Sequence, residues 1–151
     1  MMTQKKIVSN NEMIPEIARL VREGAEVRFT PKGTSMLPFI RGGRDTVVLS
    51  KAGDLHKGDI VLARTHDSRY VLHRIMEMNG DRILLMGDGN IAGRETCSKD
   101  EVLARAVKIL KGSKEIDCRS EKHIRRATIW RNLLPVRRLI LAIYKRTLLN
   151  L

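Results

Sequence analysis

The sequence predicts a mainly β fold: a compact, barrel-like body of antiparallel strands, with a short helix before it and basic helices after it. Three observations predict this. Between residues 25 and 110, short apolar runs of strand length alternate with Gly, Asp, Asn and Pro. Residues 10–23 instead repeat their apolar side chains at helical spacing. Beyond Gly112, two basic segments of helical character are split by Pro135. With 151 residues, 42% of them hydrophobic, the chain can bury a core without disulfide staples.

In the first helix Met13, Ile14, Ile17, Leu20 and Val21 share one face, Asn10 or Asn11 offers the N-cap, and Gly24 stands at the C-terminal cap. Strands are expected over 26–30, 45–50, 59–65, 70–78, 82–86 and 102–110. The breaks between them include Gly42-Gly43, Gly53-Asp54, Asn79-Gly80 and Gly87-Asp88-Gly89-Asn90. Helices are expected over 120–134 and 136–150, the second with Val136, Leu139, Ile140 and Ile143 as an apolar stripe beside Arg137, Arg138, Lys145 and Arg146. The chain thus divides into a β domain with its helix over 1–118 and a basic helical extension over 119–151.

The net charge of +12 belongs mostly to that extension. Residues 119–151 hold nine Lys or Arg against one acid, Glu121, a net of +8, which leaves +4 for the rest. The extension reads either as an amphipathic element packed on the body or as a surface for an anionic membrane or a protein partner. Nucleic acid is not expected, because only 3% of residues are aromatic and no helix-turn-helix pattern occurs. The N-terminus lacks a signal-peptide core, and the longest uncharged apolar run, 139–144, is far short of the ~20 residues a spanning helix needs. A cytoplasmic protein, at most peripheral on a membrane, is expected. Cys97 and Cys118 form no CxxC pair and have no histidine at ligand spacing, which points to reduced thiols and to no metal or other cofactor.

Two segments hold residues suited to chemistry. Asn79-Gly80 between apolar runs is a preferred two-residue hairpin turn. With those two residues at the tip, His73 faces Met86 and Val71 faces Asp88, which sets Asp88 one diagonal step from His73, roughly 7–8 Å away, on the same face. Ser35 lies in Lys32-Gly33-Thr34-Ser35-Met36-Leu37-Pro38, where Gly33 permits an unusual backbone and Pro38 stiffens the exit. A serine there is well presented, but it needs a neighbouring base to become a nucleophile. His56, His66 and His123 stand in charged surroundings and read as solvated, Lys51 as a surface residue, and Asp45 as a turn or ion-pair residue.

Four boxes in order carry a resemblance. Gly33-Thr34-Ser35-Met36-Leu37-Pro38 resembles the nucleophile box of type I signal peptidases and LexA-like self-cleaving repressors. Lys57-Gly58-Asp59-Ile60-Val61 is similar to their strand entry, Tyr70-Val71-Leu72-His73-Arg74-Ile75 to the strand of the general base, and Gly87-Asp88-Gly89-Asn90 to their GDNN-like box. The resemblance covers about residues 27–110 and implies a signal-peptidase or LexA-type catalytic domain. It implies Ser35 as nucleophile, with its backbone N–H as one oxyanion donor, His73 as base and Asp88 as the residue that orients the imidazole. Gly58 and Asp59 would shape the fold. Many relatives place Lys at the base position; His followed by Arg resembles the archaeal and endoplasmic-reticulum signal peptidases. The implied substrate is an extended peptide or precursor added as a strand beside Ser35, against Met36, Pro38 and Val71.

The sequence departs from that pattern at three points. Gly33 stands where many relatives carry a second oxyanion-binding serine. The stretch Ile91-Ala92-Gly93-Arg94 lacks the Asp pair of the His-type relatives, which makes Glu95 the substitute if Asp88 only supports its loop. The membrane anchor of signal peptidases is absent before the serine box, and the 25–30 residues there are too few for a repressor's DNA-binding domain. These departures leave a second reading, a non-catalytic member of the same fold that binds a peptide or partner.

Overall fold

The structure is a computed structural model, and it describes residues 10–149. Helix α1, Asn10–Arg22, ends as its sequence indicates: Gly24 N–H donates to Val21 O at 3.0 Å and Ala25 N–H to Leu20 O at 3.0 Å. That is the paired closing pattern of a helix with glycine just past its end.

Among the described residues eight strands form one antiparallel sheet: β1 Val27–Phe29, β2 Thr46–Ser50, β3 Ile60–Arg64, β4 Tyr70–Asn79, β5 Arg82–Met86, β6 Glu95–Ser98, β7 Val102–Lys111 and β8 Lys114–Asp117. Their order is β1-β2-β7-β3-β4-β5-β6, with β8 paired to β7. The sheet borders two cores but does not close, so the barrel-like expectation holds only for its antiparallel build. The six expected strands are present. β6 and β8 lie outside the expected strands.

β3 explains how one sheet serves two cores. Its run Ile60-Val61-Leu62-Ala63 is fully buried, with Ile60 and Leu62 in the cluster under α1 and Val61 and Ala63 in a second cluster with Ile75, Ile83, Leu85 and Cys97. A strand covered on both faces has no polar alternation to display. The two thiols belong to different cores, Cys97 within the second and Cys118 against the first, and both are free. Burial raises them to about 11 and about 12.

The β4–β5 hairpin differs from its expected register. The last pair before the turn is Asn79↔Arg82, so the tip is Gly80-Asp81 rather than Asn79-Gly80. Gly80 takes φ 60°, the positive value that a turn with glycine first demands. A bulge at Met76 then inserts an extra residue, and Arg74, not His73, pairs with Met86. Shifting a strand by one residue turns each side chain to the other face. Asp88 therefore falls on the face of Arg74.

After the sheet, Ser120 caps α2, Glu121–Asn132, by accepting from His123 N–H at 3.2 Å. A 3-10 turn at Leu134–Val136, with Pro135 inside it, leads to α3, Arg137–Tyr144, and a π-helical turn, Lys145–Leu149. These helices fold back onto the sheet domain through Trp130 and Leu141, which pack with Leu37. His123 corrects its expected solvation. It is buried on the inner face of α2, edge-on to Phe39 with ring centroids 5.5 Å apart, and burial lowers its pKa to about 4. Asp45 is a buried ion-pair residue, 2.5 Å from Lys111 Nζ.

Candidate active site

Ser35 sits at the mouth of a tight turn in which Leu37 N–H donates to Thr34 O and Ile40 N–H to Met36 O. The Gly87-Asp88-Gly89-Asn90 loop is pressed against this turn. Gly89 N–H donates to Ser35 O at 2.8 Å, and Asp88 N–H approaches Met36 Sδ at 3.5 Å. The contact is too close for side chains. A Cβ at Gly87 would lie 2.4 Å from Ser35 O, and one at Gly89 would lie 2.1 Å from Thr34 O.

The same hypothetical Cβ on Gly87 would meet His73 Nε2 at 3.0 Å and Asn90 Nδ2 at 2.8 Å. The imidazole edge, the Asn90 amide and the Ser35 backbone thus converge on one point. Ser35, His73, Asn90 and Glu95 line a single cleft of about 280 Å³, floored by Phe29, Met36, Leu62 and Leu72. Among the described residues no hydrogen bond joins the Ser35 hydroxyl to Nε2; the two groups share the cleft without touching.

The other ring nitrogen, Nδ1, is 2.6 Å from Glu95 Oε1. Both side chains are almost fully shielded, at 7% and 9% exposure. A carboxylate accepts, so Nδ1 carries the hydrogen in the neutral ring and Nε2 is left as an acceptor. Glu95 reaches this position because β6 pairs with β5, with Leu85 opposite Glu95.

Asp88 does not touch His73, which corrects the expectation from the hairpin. Its carboxylate takes Arg74 Nε at 2.9 Å and Nη2 at 2.7 Å, a fork-to-fork pair with Arg74 at 0% exposure. Arg74 Nη1 also donates to Gly58 O at 2.8 Å, and its guanidinium lies 4.9 Å from the Phe39 ring centre. Met36 and Val71 line the cleft. Pro38 does not: the turn after Met36 carries it to a separate cavity beside Phe39 and His123. Asp59 ties down its own loop, accepting from His56 N–H and from Arg119.

The loop is also held from behind. Trp130 Nε1 donates to Asp88 O at 2.8 Å. Arg137, itself 1% exposed, donates to Asn90 O at 3.0 Å and lies over the Trp130 ring, with no carboxylate partner among the described residues. Nothing local in the sequence distinguishes Arg137 from Arg138, its basic neighbour beside the apolar stripe.

A shielded imidazole hydrogen-bonded to a carboxylate thus shares one cleft with a serine on a tight turn, and only glycine fits where the Gly87–Asn90 loop meets that turn. The chain belongs to the Peptidase S24-like family, whose model matches residues 3–107. That match bears out the resemblance to the LexA-like and signal-peptidase superfamily, and α2 and α3 lie beyond it. No curated protein matches the chain.

Proposed function

We propose that the protein is a serine endopeptidase in which Ser35 is the nucleophile, His73 the general base and Glu95 the residue that orients it. The observation that carries this reading is the 2.6 Å contact from His73 Nδ1 to Glu95, which turns Nε2, as acceptor, toward the Ser35 turn. In the first step Oγ bonds to the scissile carbonyl carbon and its proton passes to Nε2. Nε2 then returns that proton to the leaving amine; water, deprotonated at the same nitrogen, attacks the acyl carbon, and Nε2 hands its proton to Oγ as the bond to Ser35 breaks. Asn90 Nδ2 joins the Ser35 N–H as a donor to the oxyanion, in place of the hydroxyl that Gly33 lacks.

The substrate is an extended peptide. Residues 70–73 of β4 pair with β3 alone, because the β5 partners begin at Arg74, and Val71 and Leu72 border the cleft. That unpaired edge suits a peptide added as a strand. The apolar floor suits small or aliphatic side chains.

A second reading, a non-catalytic peptide-binding domain, is favoured by the absent hydroxyl–imidazole bond. Incubation with an unbiased peptide library separates the two. Cleavage by the wild type, lost in Ser35→Ala and His73→Ala, is the expected result. No cleavage by wild type, with peptide retained equally by all three, supports the binding reading instead.

A further inference from the structure

We propose that α3 and its surroundings form a docking surface for an anionic lipid bilayer. The large hydrophobic side chains left exposed among the described residues are Ile91, Ile124, Ile129, Val136, Leu139 and Ile143. Five of the six belong to the helical segment after the sheet, and Ile91 borders the same surface depression as Arg138, Ala142 and Lys145. Of the apolar stripe, Ile140 packs against the cluster of Leu37, Trp130 and Leu141, while Val136, Leu139 and Ile143 are left exposed. Arg137 and Leu141 take the inner face, while Leu139 and Ile143, one turn apart, are 64% and 56% exposed.

The polar side chains around the stripe select the occupant. Arg138, Lys145 and Arg146 are exposed on the same segment as the stripe, Lys122, Arg125 and Arg126 are exposed on α2, and Glu121 is the single acid of residues 119–151. A second copy of the chain would bring another net +8 against this face. A nucleic acid would satisfy the cations but leave Leu139 and Ile143 without a role. An anionic bilayer takes both: aliphatic side chains enter the boundary between headgroups and acyl chains while the cations stay at the phosphates. This surface stands independently of the catalytic reading, and its test uses no activity.

The test is co-sedimentation of the full chain with phosphatidylglycerol-containing vesicles and with pure phosphatidylcholine vesicles. Binding is expected to the first and not to the second, and to weaken with salt. Leu139→Glu/Ile143→Glu, at exposed positions, should weaken binding at least about tenfold. Arg138→Gln/Lys145→Gln/Arg146→Gln should weaken it on the order of a hundredfold, at the usual worth of a cation near an anionic surface. Circular dichroism checks that both variants remain folded. The proposal is overturned if the wild type does not bind the anionic vesicles, whether it then stays monomeric or self-associates. It is equally overturned if the Leu139/Ile143 variant binds as the wild type does, since adsorption is then by charge alone.

Discussion

His73 and Arg74 are neighbours on one strand, and each is buried against a carboxylate, yet the two pairs have opposite settings. His73 with Glu95 opens onto a cleft shared with Ser35, and its second nitrogen has no hydrogen-bond partner among the described residues. Arg74 with Asp88 is sealed, every donor group is committed, and the pair ties β4 to the glycine loop and to Gly58 O. The alternation of a strand separates the two roles. One face holds a group with capacity left for a proton, and the other fixes the loop on which that group and Ser35 both rest.

Substitutions that keep shape but remove charge break this comparison most sharply. Glu95→Gln should lower kcat by about 10³–10⁴, because the wrong tautomer of His73 is favoured, while stability in urea changes little. Arg74→Met should behave in reverse. It strands Asp88 in the interior and should cost about 3–5 kcal/mol in urea unfolding, a loss recovered in large part by Arg74→Met/Asp88→Leu. Loss of activity from Glu95→Gln no greater than from a surface substitution would erase the distinction.

Arg137 sharpens the comparison from the far side of the loop. Its guanidinium holds Asn90 O and Trp130 O, so Arg137→Met should destabilise by about 1–3 kcal/mol and lower kcat with little change in KM. Rescue by Lys would be partial, since one ammonium cannot span those carbonyls as a fork does.

The smallest effect concerns pH. His123 has a folded-state pKa of about 4 against 6.5 for the ordinary side chain, chiefly from burial, with Arg74 adding to it. As pH falls, the unfolded chain takes up the proton first. The contribution of a neutral His123 is therefore complete above about 6.5 and is lost progressively down to about 4. His123→Phe should flatten the melting temperature across that window, relative to wild type.

Much of the fold was legible because its signals are local. The strand runs, the α1 stripe with its Gly24 stop and the break at Pro135 all lie within a few residues of what they control. The Ser35, His73 and Gly87-Asp88-Gly89-Asn90 boxes were legible for the same reason. The hairpin register did not give the partner of His73, because it depends on one extra residue at Met76 and on which two residues make the turn; Glu95 came into view only as the substitute for the missing Asp pair. β6 is four residues, Glu-Thr-Cys-Ser, with Cys97 its one member of the apolar core, too short for alternation to register. Arg137 and His123 show a further limit: a cation or an imidazole on a basic helix is buried here by what lies across from it, and sequence spacing does not report that.

The most direct measurement is covalent capture. Treated with a fluorophosphonate, the wild-type protein should gain one adduct, mapped by mass spectrometry to Ser35, and His73→Ala should gain none at the same exposure. A wild type that stays unmodified, or an adduct at Ser35 that forms equally fast without His73, would contradict the pairing of this hydroxyl with this imidazole.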